Sequence, residues 1–279
     1  MTVVRKLRNR IRPVRVAGIV LVSVLAWTSG ESRLAADPPP VHFNHAGVMP
    51  PGAIGSQQLM RGGPLPGYFQ PVEIKAPEGT QVAPAAGGAF EDPSTGTLPA
   101  GMLIGAVYRL RVTNIPLQEG VEVYPTVEVI DRTYPPVGHE FKFPIPIELT
   151  QEELEMAAAG SFVTRVIYIE DPDTAVPVAR KGNEQAYFEV GDGDNPLNVA
   201  DSLGRPVAIL RMGARVPDAQ GPDEIFLYGS PPFVRWNPHQ PPQQMMQQAQ
   251  AAMPRVDRGV KRAAALMPQN PMRRRAVVR

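Results

Sequence analysis

An acidic turn at residues 191–195 is the first stretch whose side chains could bind a ligand. It reads Gly-Asp-Gly-Asp-Asn, so Asp192 and Asp194 offer two carboxylates one residue apart between flexible glycines. Hard oxygen ligands of this kind suit calcium. An EF-hand loop would end in a bidentate glutamate where Leu203 stands, and the alternative is an ordinary Asp/Gly turn. We therefore keep Asp192 and Asp194 as candidate calcium ligands, with calcium the one cofactor that the sequence suggests.

A cluster of cations near the other end of the chain is the second candidate, because arginine pairs well with phosphate and carboxylate groups. The candidate polyanion-binding residues are Arg255, Arg258, Lys261, Arg262, Arg273, Arg274, Arg275 and Arg279. They stand in a segment rich in proline, glutamine and methionine, which has too little apolar area to fold alone. We expect this segment to tether the protein to a polyanion, and the alternative is a solvated tail without a partner.

Familiar catalytic and zinc-binding patterns are missing from the sequence. There is no G-x-S-x-G elbow, P-loop, G-x-G-x-x-G or H-E-x-x-H motif. His42 and His45 have H-x-x-H spacing but lie in a proline-rich stretch, whereas a zinc site needs a fixed scaffold and usually a third ligand. No residue is assigned a catalytic role, and we expect the protein not to be an enzyme.

The net charge of +1 is the sum of three opposed regions. Residues 1–36 carry a net charge of +6, residues 37–230 carry −13 and residues 231–279 carry +8. The acidic middle region argues against nucleic-acid binding by a folded domain there, since the phosphate backbone requires a basic surface. Cysteine is absent, which excludes disulfides, cysteine-based zinc sites and thiol catalysis.

The first 36 residues have the pattern of a signal peptide. Six cations between Arg5 and Arg15 precede an apolar run of 12 residues, 16–27. A helix needs about 20 apolar residues to span a bilayer, so this run is short for an anchor. A basic start followed by a short apolar run is typical of export. Small residues at 28 and 30 suit a cleavage site, Ala36 is a second option, and the alternative is an uncleaved signal anchor.

Short apolar runs separated by turn residues predict the elements that would position any site. The predicted strands are 68–74, 80–83, 103–113, 121–131, 140–149, 162–169, 185–190 and 207–216. Alternation in these runs indicates one buried face and one wet face, which places Arg109, Arg111 and Glu128 towards water. Pro144 and Pro146 restrict 140–149 to a sheet edge. The run 162–169 is apolar on both faces and is expected to be a central strand.

One helix interrupts the predicted strands. Thr150 followed three residues later by Glu153 matches a capping box, in which each side chain satisfies an exposed backbone N–H at the helix N-terminus. Gly160 can take the left-handed conformation that ends a helix. The helix is short, so it requires docking on the sheets.

These elements predict a mainly β fold, a two-sheet antiparallel β-sandwich that is Ig-like or similar and has one short connecting helix. The predicted organisation is a signal peptide at 1–36, a Pro/Gly-rich linker at 37–67, the β-sandwich domain at 68–217 and a disordered basic tail at 218–279. Seven prolines and six glycines in 37–67 indicate a linker without regular structure.

Four stretches carry a resemblance to a known group of proteins. They are 62–74 (GGPLPGYFQPVEI), 101–116 (GMLIGAVYRLRVTNIP), 143–172 (FPIPIELTQEELEMAAAGSFVTRVIYIEDP) and 205–217 (RPVAILRMGARVP). Together they resemble a group of exported planctomycete-type bacterial proteins without an assigned activity. The resemblance implies an envelope or extracellular setting, and it brings no cofactor or catalytic residue.

The sequence thus favours an exported structural or binding module of the cell envelope without catalytic activity, tethered by the basic tail. The alternative is a calcium-dependent or carbohydrate-binding β-sandwich domain, and an extracellular hydrolase is the third choice. The expected partner is an envelope polyanion or another envelope protein, without specific nucleic-acid binding. Membrane contact is expected only through an uncleaved signal segment, and the expected location is the periplasm, the cell envelope or the extracellular space.

Overall fold

Two β-sheets pack face to face and share one hydrophobic core. The structure, a computed structural model, describes residues 2–7, 49–62, 65–173, 175, 187–191, 193–237, 247 and 251. The strands are β1 Thr2–Leu7, β2 Phe69–Lys75, β3 Gln81–Ala86, β4 Ala89–Phe90, β5 Ser94–Thr95, β6 Thr97–Leu103, β7 Val107–Thr113, β8 Thr126–Val129, β9 Ile145–Glu148, β10 Phe162–Glu170, β11 Tyr187–Val190, β12 Gly204–Met212 and β13 Phe233–Arg235. The helices are α1 Ala53–Met60, α2 Gln151–Ala158 and α3 Pro196–Leu203, and Glu140–Lys142 forms a 3₁₀ turn.

The larger sheet has nine strands, in the order β11-β1-β10-β12-β8-β7-β3-β4 with β5 paired to β3. The smaller sheet has four strands, in the order β13-β6-β2-β9. Neighbouring strands are antiparallel except β1 with β11 and β2 with β9. The predicted mainly β fold with two mostly antiparallel sheets is confirmed.

The shared core follows from the alternation of apolar residues along the strands. Ile74 of β2 and Met102 of β6 come from the smaller sheet, and Tyr108 and Leu110 of β7 come from the larger sheet. All four are fully buried. Each such side chain contributes roughly 1.5–3 kcal/mol by leaving water, and this core holds the two sheets together.

The opposite face of the larger sheet is also covered. Helices α1 and α3 pack there through Ile54 and Ala200, and the segment 222–230 packs there through Phe226. Arg109 and Glu128 lie on this second face and are only 4% and 0% exposed. The prediction that they point towards water is therefore wrong, because strand alternation does not show that another layer covers the polar face.

The folded part of the chain is longer than predicted at both ends. Helix α1 lies within 37–67, which was predicted to lack regular structure, and Trp236 is buried beyond the predicted boundary at 217. The indole Nε1 of Trp236 donates to the carbonyl of Ala100 at 3.0 Å, and strand β13 pairs with β6. The predictions of an unstructured linker over 53–60 and of a disordered tail over 218–237 are therefore wrong.

The first residues of the predicted signal peptide take part in the larger sheet. Strand β1 runs antiparallel to β10 and parallel to β11. Residues 8–48 lie outside the described part of the chain, so the apolar run and both cleavage positions do too. Among the described residues, the structure contains no helix long and apolar enough to cross a membrane.

Local sequence signals agree with the structure at several elements. The Thr150 side chain accepts from the Glu153 backbone N–H and the reciprocal bond is present, so the capping box is confirmed. Gly160 has φ 91°, the left-handed conformation expected after the helix. Among the described strands, β9 pairs with β2 alone and is an edge strand, whereas β10 is central in the larger sheet.

Candidate functional site

Two buried arginines flank a threonine on the second face of the larger sheet. The register pairs Arg109 of β7 with Thr126 of β8, and Thr126 with Arg211 of β12. The next pair in the same row is Arg211 with Thr164 of β10. Because directly paired residues point to the same face, Arg109 and Arg211 lie in one row on the same face of the sheet, on the two strands that flank β8.

Arg211 is neutralised by an acid from the same face. Its Nη1 donates to Oε2 of Glu128 at 2.8 Å, and both side chains are buried. The other carboxylate oxygen, Oε1, accepts from the backbone N–H of Gly55 in α1 at 2.7 Å. The charge of Arg211 is thus paired, and α1 is fixed over the sheet by the same carboxylate.

Arg109 is held by carbonyls and aromatic rings. Its Nε donates to the carbonyl of Phe226 at 3.1 Å and its Nη1 to the carbonyl of Tyr124 at 2.7 Å. Its guanidinium carbon lies 4.5 Å from the ring centre of Phe226 and 5.0 Å from that of Tyr228. Burial lowers the pKa of Arg109, Tyr228 acts to raise it and the charge of Arg215 lowers it further. Among the described residues, no carboxylate pairs with Arg109.

A third arginine completes a pocket of about 450 Å³. Arg215 follows β12, is exposed, and its guanidinium carbon lies 5.8 Å from the ring centre of Phe226. We call this site the arginine pocket and define it by Arg109, Tyr124, Thr126, Arg211, Arg215 and Tyr228. The segment Met49–Pro51 and Phe162 also line it, and none of its described lining residues is acidic.

The two tyrosines give the arginine pocket aromatic walls. Tyr124 is buried and its hydroxyl donates to Oε2 of Glu122, which stands outside the pocket lining. Burial, and then the hydrogen bond and charge of Glu122, raise the pKa of Tyr124 to about 12. The phenol is therefore a neutral donor at physiological pH. Tyr228 is half-buried and its ring lies against Arg109.

This arrangement is suited to holding an anion. Arg211 is balanced by Glu128, but Arg109 and Arg215 add positive charge that no lining residue balances. Hydrogen bonds from a guanidinium to phosphate, sulfate or carboxylate are among the stronger ones in proteins, and partial burial strengthens them further. The aromatic rings beside the cations offer a flat apolar surface for the rest of a ligand.

A second, larger groove of about 800 Å³ lies beside β9 and the C-terminal end of β10. Its walls are mostly apolar, with Phe143 and Tyr134 both half-exposed. The charged groups that line it are of both signs, Glu73, Lys142 and Glu170. It offers no convergent set of like charges, so the arginine pocket is the better candidate for recognition of a charged ligand.

The predicted calcium ligands are placed only in part. Asp192 lies outside the described residues, and Asp194 is exposed. The neighbouring Asn195 caps α3, because its side-chain oxygen accepts from the N–H of Leu197 at 3.0 Å. Within the described part of the chain, no group of three histidine, aspartate or glutamate residues is placed to hold a metal. Calcium binding at Asp192 and Asp194 stays a prediction.

Most of the other residues singled out in the sequence lie outside the described part of the chain. The candidate polyanion-binding residues from Arg255 to Arg279 lie outside the described residues, as do His42 and His45. His139 is exposed beside the carbonyl of Val137.

The arginine pocket was not predicted from the sequence: Arg109 was expected to face water, and Arg211 and Arg215 were not singled out. A signal was present, because Arg109 lies in the strand VYRLRV and Arg211 interrupts the apolar run AILRM. A lone charge inside such a run either faces water or is buried with a partner. Only the strand register, which depends on residues far apart in sequence, decides between these two cases.

No protein-family model matches the chain, and no curated protein and no solved structure matches it either. Function is therefore inferred from the arginine pocket and from the charge pattern of the sequence.

Proposed function

We propose that the protein is an exported, non-catalytic binding module of the cell envelope that holds an anionic group in the arginine pocket. The observation that carries the proposal is the pair Arg109 and Arg215, whose charges no acid in the described pocket lining balances. The ligand class is an oxyanion, either a carboxylate or a phosphate or sulfate ester, on a larger envelope molecule.

The charge of the rest of the chain supports this proposal. Residues 37–230 carry a net charge of −13, so a cationic pocket within them is a local exception. Long-range repulsion from the acidic surface disfavours polyanions elsewhere on the domain, whereas a partly buried cationic pocket is screened less by salt. Recognition of a single anionic group at one site is the interaction that this charge pattern favours.

Export is supported by the basic start and the apolar run at 16–27, and tethering by the basic tail. The tail residues Arg255 to Arg279 would bind envelope polyanions through distributed charge, in contrast to the single group held in the arginine pocket. Catalysis is not part of the proposal, because the sequence contains none of the common catalytic motifs.

Arg215→Gln tests the pocket, because Arg215 is exposed and its loss is not expected to unfold the domain. The probe is inorganic phosphate, and the readout is the NMR shift of tyrosine ring resonances during titration. We expect Arg215→Gln to bind phosphate about tenfold to a hundredfold more weakly than the wild type, because one charge-assisted hydrogen bond contributes about that much. Arg61→Gln, an exposed cation at the far end of α1, is the matched control and should bind as the wild type does.

Equal phosphate affinity in Arg215→Gln, Arg61→Gln and the wild type would show that the arginine pocket is not the binding site. Export and tethering have a separate test, fractionation of native cells with mass spectrometry of the N-terminus. We expect a cleaved chain that a high-salt wash releases from the envelope, since at 1 M salt the screening length is about 3 Å. Retention of Met1 in a cytoplasmic chain would overturn export, and unchanged envelope association after deletion of residues 250–279 would overturn tethering.

A further inference from the structure

Strand β1 connects two strands of the larger sheet that do not otherwise pair with each other. Residues Thr2 to Arg5 pair with Ile167 to Thr164 of β10 on one side and with the four residues of β11 on the other. Among the described strands, β11 has no other partner in the sheet order. Four residues of β1 therefore hold β11 to the rest of the fold.

Cleavage of a signal peptide would remove this strand. If the chain is cut after residue 30 or 36, as the export part of the proposed function requires, β1 leaves with the signal peptide. The edge of β10 would then expose backbone N–H and C=O groups, and an open strand edge is a template for another strand. The backbone on this edge is buried in the present structure, since Val166 and Ile167 are 0% and 2% exposed.

The chain contains a second copy of the sequence that fills this position. The residues that pair with both β10 and β11 are Thr-Val-Val-Arg at 2–5, and residues 276–279 are Ala-Val-Val-Arg. The two copies differ only at their first position, where the small residue Thr2 corresponds to the small residue Ala276. Both copies lie in basic regions, with net charges of +6 and +8, and the region between them is acidic.

We propose that, in the processed chain, residues Ala276–Arg279 take the place of Thr2–Arg5 between β10 and β11. In the register of β1, Val277 would pair with Val166, Val278 with Arg165 and Arg279 with Thr164. The branched side chains of consecutive valines favour an extended backbone. The tail then closes on the domain by strand addition, a known mode of peptide recognition at sheet edges.

The tail is long enough to reach this position from its own domain. It has 42 residues after Asn237, the end of the folded segment. A flexible chain of this length spans roughly 35 Å on average, about twice the radius of gyration of roughly 16 Å expected for a domain of this size. A tethered segment competes at an effective concentration near the millimolar range, so intramolecular pairing is favoured over capture of a strand from another molecule.

The test uses four versions of the full chain, so it does not depend on whether cells cleave the signal peptide. Val3→Pro/Val4→Pro disables β1, Val277→Pro/Val278→Pro disables the tail copy, and the fourth protein carries both changes. Hydrogen exchange of the amides in Phe162–Ile167 reports whether the edge of β10 is paired. We expect β10 to stay protected in each of the two single-segment variants and to lose protection only when both segments are disabled. In the β1 variant, the amides of 276–279 should gain protection.

Two results would overturn the proposal. Full loss of β10 protection in the β1 variant alone would show that the tail cannot replace β1. Retained protection in the doubly disabled chain would show that β11 closes directly onto β10. Ala264→Pro/Ala265→Pro in the β1 variant is the control for proline in the tail, and β10 should stay protected there.

A cross-link provides a second readout if the proline variants fold poorly. The chain has no cysteine, and position 4 pairs with the exposed Glu189 of β11. A short thiol cross-linker should join Glu189→Cys to Val278→Cys in the processed chain from native envelopes, and should not join Glu189→Cys to Ala264→Cys. Absence of the first product overturns the proposal. Phosphate binding in the arginine pocket is measured separately, and so is the mature N-terminus. A failure of the proposed function can therefore be told apart from a failure of this strand-replacement proposal.

Discussion

Glu128 and Arg211 form a buried ion pair: Nη1 of Arg211 lies 2.8 Å from Oε2 of Glu128, and the side chains of Arg211 and Glu128 are 3% and 0% exposed. The second oxygen of Glu128 accepts from Gly55 N–H at 2.7 Å. One carboxylate therefore links β8, β12 and α1. The same carboxylate neutralises Arg211. Arg109 and Arg211 can therefore share one face of the sheet without two unbalanced positive charges.

Glu128→Gln should destabilise the fold and strengthen anion binding. Removing one partner of a buried ion pair leaves an unbalanced charge and costs about 3–5 kcal/mol in the free energy of unfolding. The positive charge of Arg211, which Glu128 no longer neutralises, becomes available to an anion in the arginine pocket. Urea unfolding and phosphate titration measure the two effects. Glu91→Gln removes one member of an exposed pair with Arg235 and should cost no more than about 1 kcal/mol; equal effects of the two substitutions would contradict this view.

Elements specified by neighbouring residues were predictable from the sequence. The capping box of Thr150 and Glu153 depends on residues three apart, and β9 was recognisable as an edge strand from Pro144 and Pro146. Helix α3 was not predicted, although Asn195 and Pro196 form a good start for a helix.

Elements specified by distant residues were not predictable in the same way. Arg109 is buried because the segment around Phe226, more than a hundred residues later, covers its face of the sheet. Trp236 is ordered because β13 pairs with β6, again across a long separation in sequence. The arginine pocket draws on six separate segments, so its existence depends on strand register and on layers that local periodicity does not reveal.

Gly55→Ala should loosen the seating of α1 over the sheet. A Cβ at Gly55 would lie 2.7 Å from the Cα of Gly105, which is backbone and cannot move aside. The expected cost is about 1–3 kcal/mol for overpacking, together with weaker donation from the Gly55 N–H to Glu128. Thermal unfolding measures this loss of stability. Gly193→Ala is the matched control, because nothing lies within 4 Å of its added Cβ, and a cost as large as that of Gly55→Ala would rule out the close approach as the cause.

The stability of the fold should fall in strongly alkaline solution. Burial first, and then the hydrogen bond and charge of Glu122, raise the pKa of Tyr124 from 10.0 to about 12. Burial also raises the pKa of Tyr108, whose hydroxyl donates to the carbonyl of Pro232 at 2.7 Å. The protonated forms contribute their full stability below pH 10, and this contribution is lost as the pH rises towards 12, because the unfolded chain ionises first.

Tyr124→Phe isolates one part of this alkaline effect. The variant has no phenol to ionise at this position, so its urea midpoint should fall less steeply with pH between 10 and 12 than that of the wild type. Below pH 10 the two slopes should be the same. If the urea midpoints of the wild type and Tyr124→Phe changed equally with pH up to pH 12, the fold would not hold Tyr124 in its neutral form.

Arg165 and Glu153 form a second buried pair, which docks α2 on the larger sheet. The Nε of Arg165 donates to Oε1 of Glu153 at 3.0 Å, its Nη2 donates to Oε2, and its Nη1 donates to the carbonyl of Glu148 at 2.5 Å. Both side chains are 5% exposed. Glu153 thus serves the helix as a cap residue and the sheet as a counter-charge.

A double-mutant cycle separates the two roles of Glu153. Arg165→Met alone should cost about 3–5 kcal/mol in the free energy of unfolding, because it leaves a buried carboxylate without its partner. Glu153→Gln keeps an acceptor for the capping box but leaves Arg165 unpaired. The double variant buries no net charge, so its cost should be smaller than the sum by about 0.5–3 kcal/mol. Additive costs from urea unfolding of the four proteins would show that the capping role, and not the ion pair, accounts for the effect of Glu153.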